Sequence, residues 1–192
     1  MTHGTHKLSR RSLLAGLALV AAGPALAAEH PSLVFMRQVA KDLLNANRLG
    51  TAASFRRAIM RHADVADMAD YSLGQYRDKL KSSQRGAYYE GTATFMARYL
   101  ADMTRQYRVA KYELGDATAD DNKDVLVTSK VSMMTGDTYT VTWRLAWRRG
   151  SYRVTDVKVL GFSLMYMQRG IFTSYVSKKN GDVGQLVAAL NR

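Results

Sequence analysis

The spacing of apolar residues changes once along this chain, and that change limits the fold more than any single motif. From Leu33 to about Tyr107 apolar residues recur at intervals of three and four, whereas beyond Val109 they alternate in twos. The first period belongs to helices with one buried stripe, the second to strands with one buried face. No repeat, linker or low-complexity segment separates the halves, so the 192 residues are read as one compact domain behind a targeting segment.

Leu33, Met36, Val39, Leu43 and Leu44 mark a first helix that starts after Pro31 and stops near Gly50. Phe55, Ile59 and Met60 mark a second, and a third runs from Val65 to Leu73 and stops at Gly74. The longest spans Ser83 to about Tyr107, with Tyr88, Phe95, Met96, Tyr99, Leu100, Met103 and Tyr107 on one broad face. Val125, Val127, Val131 and Met133 then alternate with polar residues up to a turn at Thr135-Gly136-Asp137, which reads as a hairpin. The next strand presents Tyr139, Val141, Trp143, Leu145 and Trp147 on one face and mainly threonine and arginine on the other. A turn at Arg149-Gly150-Ser151 leads to a strand from Tyr152 through Leu160. After Gly161 a helical pattern returns, ending in a short helix from Asp182 to Leu190.

Three or four antiparallel strands between helices predict an α+β domain, a curved antiparallel sheet covered on one face by helices. The covered face is unusually aromatic. It either fills a core or, if sheet and helices do not close completely, lines a pocket.

Residues 1–27 are read as a signal peptide. Lys7, Arg10 and Arg11 precede an apolar run from Leu13 to Ala22, and Ala25-Leu26-Ala27 offers small residues for cleavage before Ala28. The run is too short and too interrupted by Gly16, Gly23 and Pro24 to span a membrane. Ser9-Arg10-Arg11-Ser12 also resembles a twin-arginine export signal, so either export route is open. The mature chain, residues 28–192, keeps 25 Lys and Arg against 16 Asp and Glu. An exported bacterial protein meets no chromosome, so this balance points away from nucleic acid and toward anionic lipid surfaces or an acidic partner, or serves solubility alone.

The chain has no cysteine, which excludes disulfides, thiolate metal sites and cysteine nucleophiles. Gly161-Phe162-Ser163-Leu164-Met165 resembles the start of a nucleophile elbow. Met165 stands where a second glycine is needed, and no histidine follows the serine, the last being His62. His62 reads as a solvated helix residue. Asp120-Asp121-Asn122-Lys123-Asp124 lacks the glycine and glutamate of a calcium loop and reads as a solvated turn. Asp156, in phase with Tyr152 and Val154, is either a buried acid for proton transfer or a structural hydrogen-bond partner.

Asp156-Val157-Lys158-Val159-Leu160-Gly161-Phe162-Ser163-Leu164, followed by Arg169, Phe172, Gly181, Leu186 and Leu190, resembles the toluene-tolerance and Mla-type periplasmic lipid-binding family. That family ends in a similar strand, Gly-x-Ser-Leu turn, Arg-x-x-Phe helix and leucine-rich last helix. Ser72-Leu73-Gly74-Gln75-Tyr76-Arg77, then Gln84-Arg85 and Phe95, looks like its other signature. Met167-Gln168 departs from the polar-aromatic pair that phospholipid carriers commonly show before the arginine, and a branch associated with hopanoid synthesis looks similar there.

The resemblance implies an NTF2-like fold, a periplasmic location, and a carrier with no catalytic residue, metal or cofactor. Its cargo would be phospholipid held by its acyl chains, or hopanoid or another apolar lipid. Its partners would be an outer-membrane lipoprotein complex and an inner-membrane ABC transporter with an MCE-type ring, with transient contact at membrane surfaces. A small pocket enzyme of the same fold class is the alternative. The expected lining is Val141, Trp143, Leu145 and Trp147 from the sheet, with Phe95, Met96, Tyr99, Met103 and Phe172 from helices. Arg169 and Lys178 are read as contacts for a headgroup phosphate or an acidic partner, or else as a solvated helix face.

Overall fold

The computed structural model describes Met1, residues 29–119 and residues 124–192. The expected signal peptide and Asp120 to Lys123 of the acidic loop lie outside these residues. Helices α1 (Pro31–Leu49) and α3 (Val65–Ser72) begin where the sequence places them, and α2 (Ala52–His62) carries Phe55, Ile59 and Met60. Thr51 and Asp64 cap α2 and α3 by accepting the amides of Ser54 and Asp67, groups that the helix itself leaves unpaired. Gly50 ends α1 with φ 63°, a left-handed conformation in which its amide returns to the Ala46 carbonyl. Two short 3₁₀ turns lead into α4 (Arg85–Gln106).

The strands follow as a meander: β1 (Val109–Ala119), β2 (Val125–Met133), β3 (Thr138–Arg148), β4 (Ser151–Val159) and β5 (Phe162–Ser163). They pair antiparallel in the order β1-β2-β3-β4-β5. Helices α5 (Leu164–Ser177) and α6 (Val183–Leu190) complete the α+β domain. The sheet has one strand more than the widest expectation. β1 is an edge strand whose register slips between Leu114 and Ala117, which breaks the alternation by which a strand is recognised. β5 is two residues long, too short to carry a period.

A second irregularity re-aims β4. Arg144 pairs with Asp156 and Leu145 with Val154, so Thr155 is an extra residue. Val154, Val157 and Val159 consequently line one cavity, and Asp156 faces a separate groove with Arg144 and Lys158. The expectation that Asp156 shares a face with Val154 fails at this bulge.

Buried residues gather in three clusters among the described residues. One joins α3, α4, α5 and α6 through Leu73, Tyr88, Phe172, Val176, Leu186 and Leu190. Another joins α1, α2 and α4 through Ala46, Phe55, Ile59, Ala93 and Ala97. The third seals α1 onto the sheet through Met36, Val39, Val127, Leu145 and Val154. Tyr88 is wholly buried, its hydroxyl donates to the Ala69 carbonyl at 2.7 Å, and burial pushes its phenol well above the usual range.

Gly91 of α4 packs directly under α6, where an added Cβ would lie 2.7 Å from the Leu190 Cβ. Alanine at this position gains about 1 kcal/mol of helix propensity, but overpacking costs about 1–3 kcal/mol. Gly91→Ala is expected to lower the urea midpoint of unfolding, and an unchanged or raised midpoint would show that α6 shifts freely.

Candidate functional site

The third cluster closes one end of the space between helices and sheet, and the other end stays open. The result is a cavity of about 650 Å³ between α1, α2, α4, α5 and the inner face of the sheet. Its floor is Ser129, Val131 and Met133 of β2, Tyr139, Val141 and Trp143 of β3, and the three valines of β4. Its far wall is Phe95, Met96, Tyr99, Leu100 and Met103 of α4, with Phe55 and Ile59 of α2 beside them. Lining residues Tyr107, Leu160, Met167 and Ile171 are exposed and mark the mouth. By register, Val109, Met133 and Val159 belong to this same end of the sheet.

Six of the expected lining residues stand on the wall: Phe95, Met96, Tyr99, Met103, Val141 and Trp143. Leu145, Trp147 and Phe172 do not. Leu145 shares the sheet face of Trp143 but lies where α1 seals the sheet, and it is wholly buried in that cluster. Trp147 lies beyond the seal, 58% exposed and edge-to-face on Tyr152 at 4.9 Å. Phe172 stands behind Phe95, ring to ring at 5.1 Å, because α5 turns Gln168 and Ile171 toward the cavity instead.

Arg169 also stays outside the cavity, with its guanidinium over the Tyr71 ring at 4.8 Å. Lys178 is exposed at the C-terminal cap of α5, a full helix length from Leu164 and Met165 on the cavity wall.

The wall carries residues that sequence reasoning missed. The stripe of Met36, Val39 and Leu43 is visible but reads only as helix-forming, Gln168 stands out only as a departure from the family pair, His62 reads as solvated, and no signal sets Ser129 apart. Ser129 is buried and accepts the Trp143 indole N–H at 2.9 Å, which fixes that ring against the floor. Gln168 donates from Nε2 to the Ser72 hydroxyl at 2.8 Å.

His62 corrects an expectation, since it is 6% exposed and not solvated. Its Nε2 meets Asp42 Oδ2 at 2.7 Å, and Asp42 also accepts from Arg61 at 3.0 Å and Gln38 at 3.2 Å. The partner lies twenty residues upstream on another helix, out of reach of any local spacing rule.

The elbow-like serine has a structural role. Ser163 caps α5 by accepting the Tyr166 amide at 2.9 Å, and its hydroxyl donates to Asp156 at 2.9 Å. Asp156 also accepts the amides of Val157 at 2.8 Å and Met165 at 3.3 Å. All three bonds land on Oδ1, which thereby holds both the turn and the start of α5.

A small α+β domain whose helices and antiparallel sheet enclose an open-mouthed, hydrocarbon-lined cavity is a binding-pocket scaffold. Among the described residues no helix is long and apolar enough to cross a membrane. The family model of the MlaC protein matches residues 35–192, and the chain belongs to that family. The phospholipid-binding protein from Ralstonia solanacearum, solved in complex with a phospholipid, shares the fold with a TM-score of 0.70. The two are 20% identical over 84% of this chain and 96% of that one. No curated protein matches the sequence significantly.

Asp42 makes this wall sensitive to acid. The His62 hydrogen bond, aided by those of Gln38 and Arg61 and opposed by partial burial, holds its carboxyl below the usual range. A carboxylate with a lower pKa in the folded state stabilises the fold above its unfolded value of about 3.9. That stability is lost as pH falls through the folded value. Thermal unfolding measured against pH is therefore expected to show a steep acid limb below about pH 4, flattened in Asp42→Asn together with a lower melting temperature near neutrality. Parallel curves would remove the linkage.

Proposed function

We propose that the protein is a carrier that sheathes the hydrocarbon of a lipid in this cavity. The observation that carries the reading is the cavity itself, open at one end and walled almost entirely by aliphatic, aromatic and methionine side chains. Exposing ten methylenes of an acyl chain to water costs roughly 8 kcal/mol, so a lipid crosses an aqueous space only inside such a wall. Methionines such as Met96, Met103 and Met133 adapt to chains of differing length and unsaturation. A headgroup needs no such shelter and stays at the mouth, near Tyr107, Leu160 and Ile171.

Membership of the MlaC family and the phospholipid complex of the Ralstonia relative support phospholipid as cargo. With the export signal expected from the sequence, they support a periplasmic shuttle between an outer-membrane lipoprotein complex and an inner-membrane ABC transporter with an MCE-type ring. They support binding over catalysis as well, and Ser163 and Asp156 Oδ1 agree, since both hold the start of α5.

The test is mass spectrometry of an organic extract from residues 28–192 purified from the periplasm without detergent. Near-stoichiometric phospholipid is expected, and hopanoid or another isoprenoid would keep the carrier and change its cargo. An empty protein would count against the reading. Met103→Trp, which fills the cavity from α4 without touching the sealed end, is expected to remove most of the extracted lipid while the far-ultraviolet spectrum stays that of the wild type.

A further inference from the structure

Plain hydrocarbon does not satisfy the whole wall of the cavity. Gln168 is 5% exposed and lies on the α5 stripe between Leu164 and Ile171, all three lining the cavity. Its Nε2 donates to Ser72 Oγ at 2.8 Å, and Ser72 gives its own proton to the Met68 carbonyl at 2.7 Å. One of the two Nε2 hydrogens is thus spent within the protein, while the amide oxygen, Oε1, accepts nothing. Among the described residues Gln168 makes no other side-chain hydrogen bond, and no side-chain nitrogen or oxygen that is fully shielded lacks a partner. Oε1 therefore keeps open surface, and for a residue so deeply buried that surface belongs to the cavity it lines.

His62 repeats the pattern on the α2 side of the same wall. Asp42 accepts from Gln38, Arg61 and His62 at once, so the ring nitrogen facing it, Nε2, carries the proton. In the neutral ring Nδ1 is then a bare acceptor, and among the described residues it has no hydrogen-bond partner. An acceptor held in apolar surroundings is costly until a donor reaches it, and an acyl chain brings none.

We propose that the preferred cargo carries a hydroxyl group within its hydrocarbon portion, and that Gln168 Oε1 accepts a hydrogen bond from that hydroxyl, with His62 Nδ1 offering the same chemistry from α2. The inference rests on the cavity being a lipid site. The shared chemistry is an aliphatic alcohol, and it has two sources, a hydroxylated acyl chain or a polycyclic alcohol.

Trp143 on the cavity floor supplies the readout once the other tryptophan, outside the cavity, is removed by Trp147→Phe. The delipidated mature protein is titrated with octadecanoic acid and with octadecanoic acids hydroxylated at successive positions along the chain. Cholestanol and cholestane, presented from cyclodextrin, form the polycyclic arm. A preference of about five- to tenfold for at least one alcohol over its unhydroxylated partner is expected, the gain of one net hydrogen bond. The arm in which it occurs identifies the source.

In Gln168→Met, which keeps length and removes both polar atoms, the ratio of the two affinities is expected to fall to about one. Should that variant fail to fold, Gln168→Asn withdraws the oxygen by one methylene and is expected to lower the ratio in the same way. Equal affinities in the parent protein overturn the proposal, as does a preference that Gln168→Met leaves unchanged. Failure of all these probes, and of a dipalmitoyl phosphatidylglycerol control, to change the Trp143 emission overturns the carrier reading as well, which separates the two failures.

Discussion

The shape of this protein depends on how α4 divides its surface. Toward α2 and α6 it presents Gly91, Ala93, Ala97 and Ala101, residues small enough for the neighbouring helices to approach closely. Toward the sheet it presents Phe95, Met96, Tyr99 and Met103, residues too large to allow a similar approach. One face of the helix thus pulls two partners in while the other holds the sheet away. The seal of α1 on the sheet at Met36, Val127 and Leu145 closes one end of the gap, and the opposite end stays open.

Residues that look like chemistry in the sequence serve this architecture. Ser163 and Asp156 stand in a turn that could pass for an elbow with its acid. Both help to fix the start of α5, the helix that turns Gln168 and Ile171 toward the cavity. His62 and Asp42 tie α2 to α1, and Phe35 adds an edge-to-face contact to the imidazole at 5.7 Å. In each pair the hydrogen bonds set helix placement, and the cavity inherits its width from that placement.

Much of this was legible beforehand. The bounds of α1 could be read because Pro31 and Gly50 act locally, within a turn of the residues they organise. Six wall residues were legible for the same reason, since a helical stripe or a strand face is a local period. What could not be read was where the face of β3 changes from wall to seal, because Trp143, Leu145 and Trp147 have identical phase and differ only in whether α1 lies over them. Nor could the bulge at Thr155, which moves Asp156 to the outer groove, since one extra residue leaves no trace in composition. The Asp42–His62 pair joins two helices twenty residues apart, and only packing brings it together.

The size of the cavity bears on what fills it. A space of about 650 Å³ that opens at one end holds water when nothing else fills it. Water is a poor filler, because a buried water needs two to four polar partners and this wall offers few, chiefly around Asn47, Gln168 and His62. Hydrocarbon fills the space without that penalty and returns the dispersion contacts that a void forfeits. A protein built on this plan holds its shape jointly with its contents: α4 sets the width, the α1 seal sets the depth, and a lipid occupying the interior does what side chains do in an ordinary core.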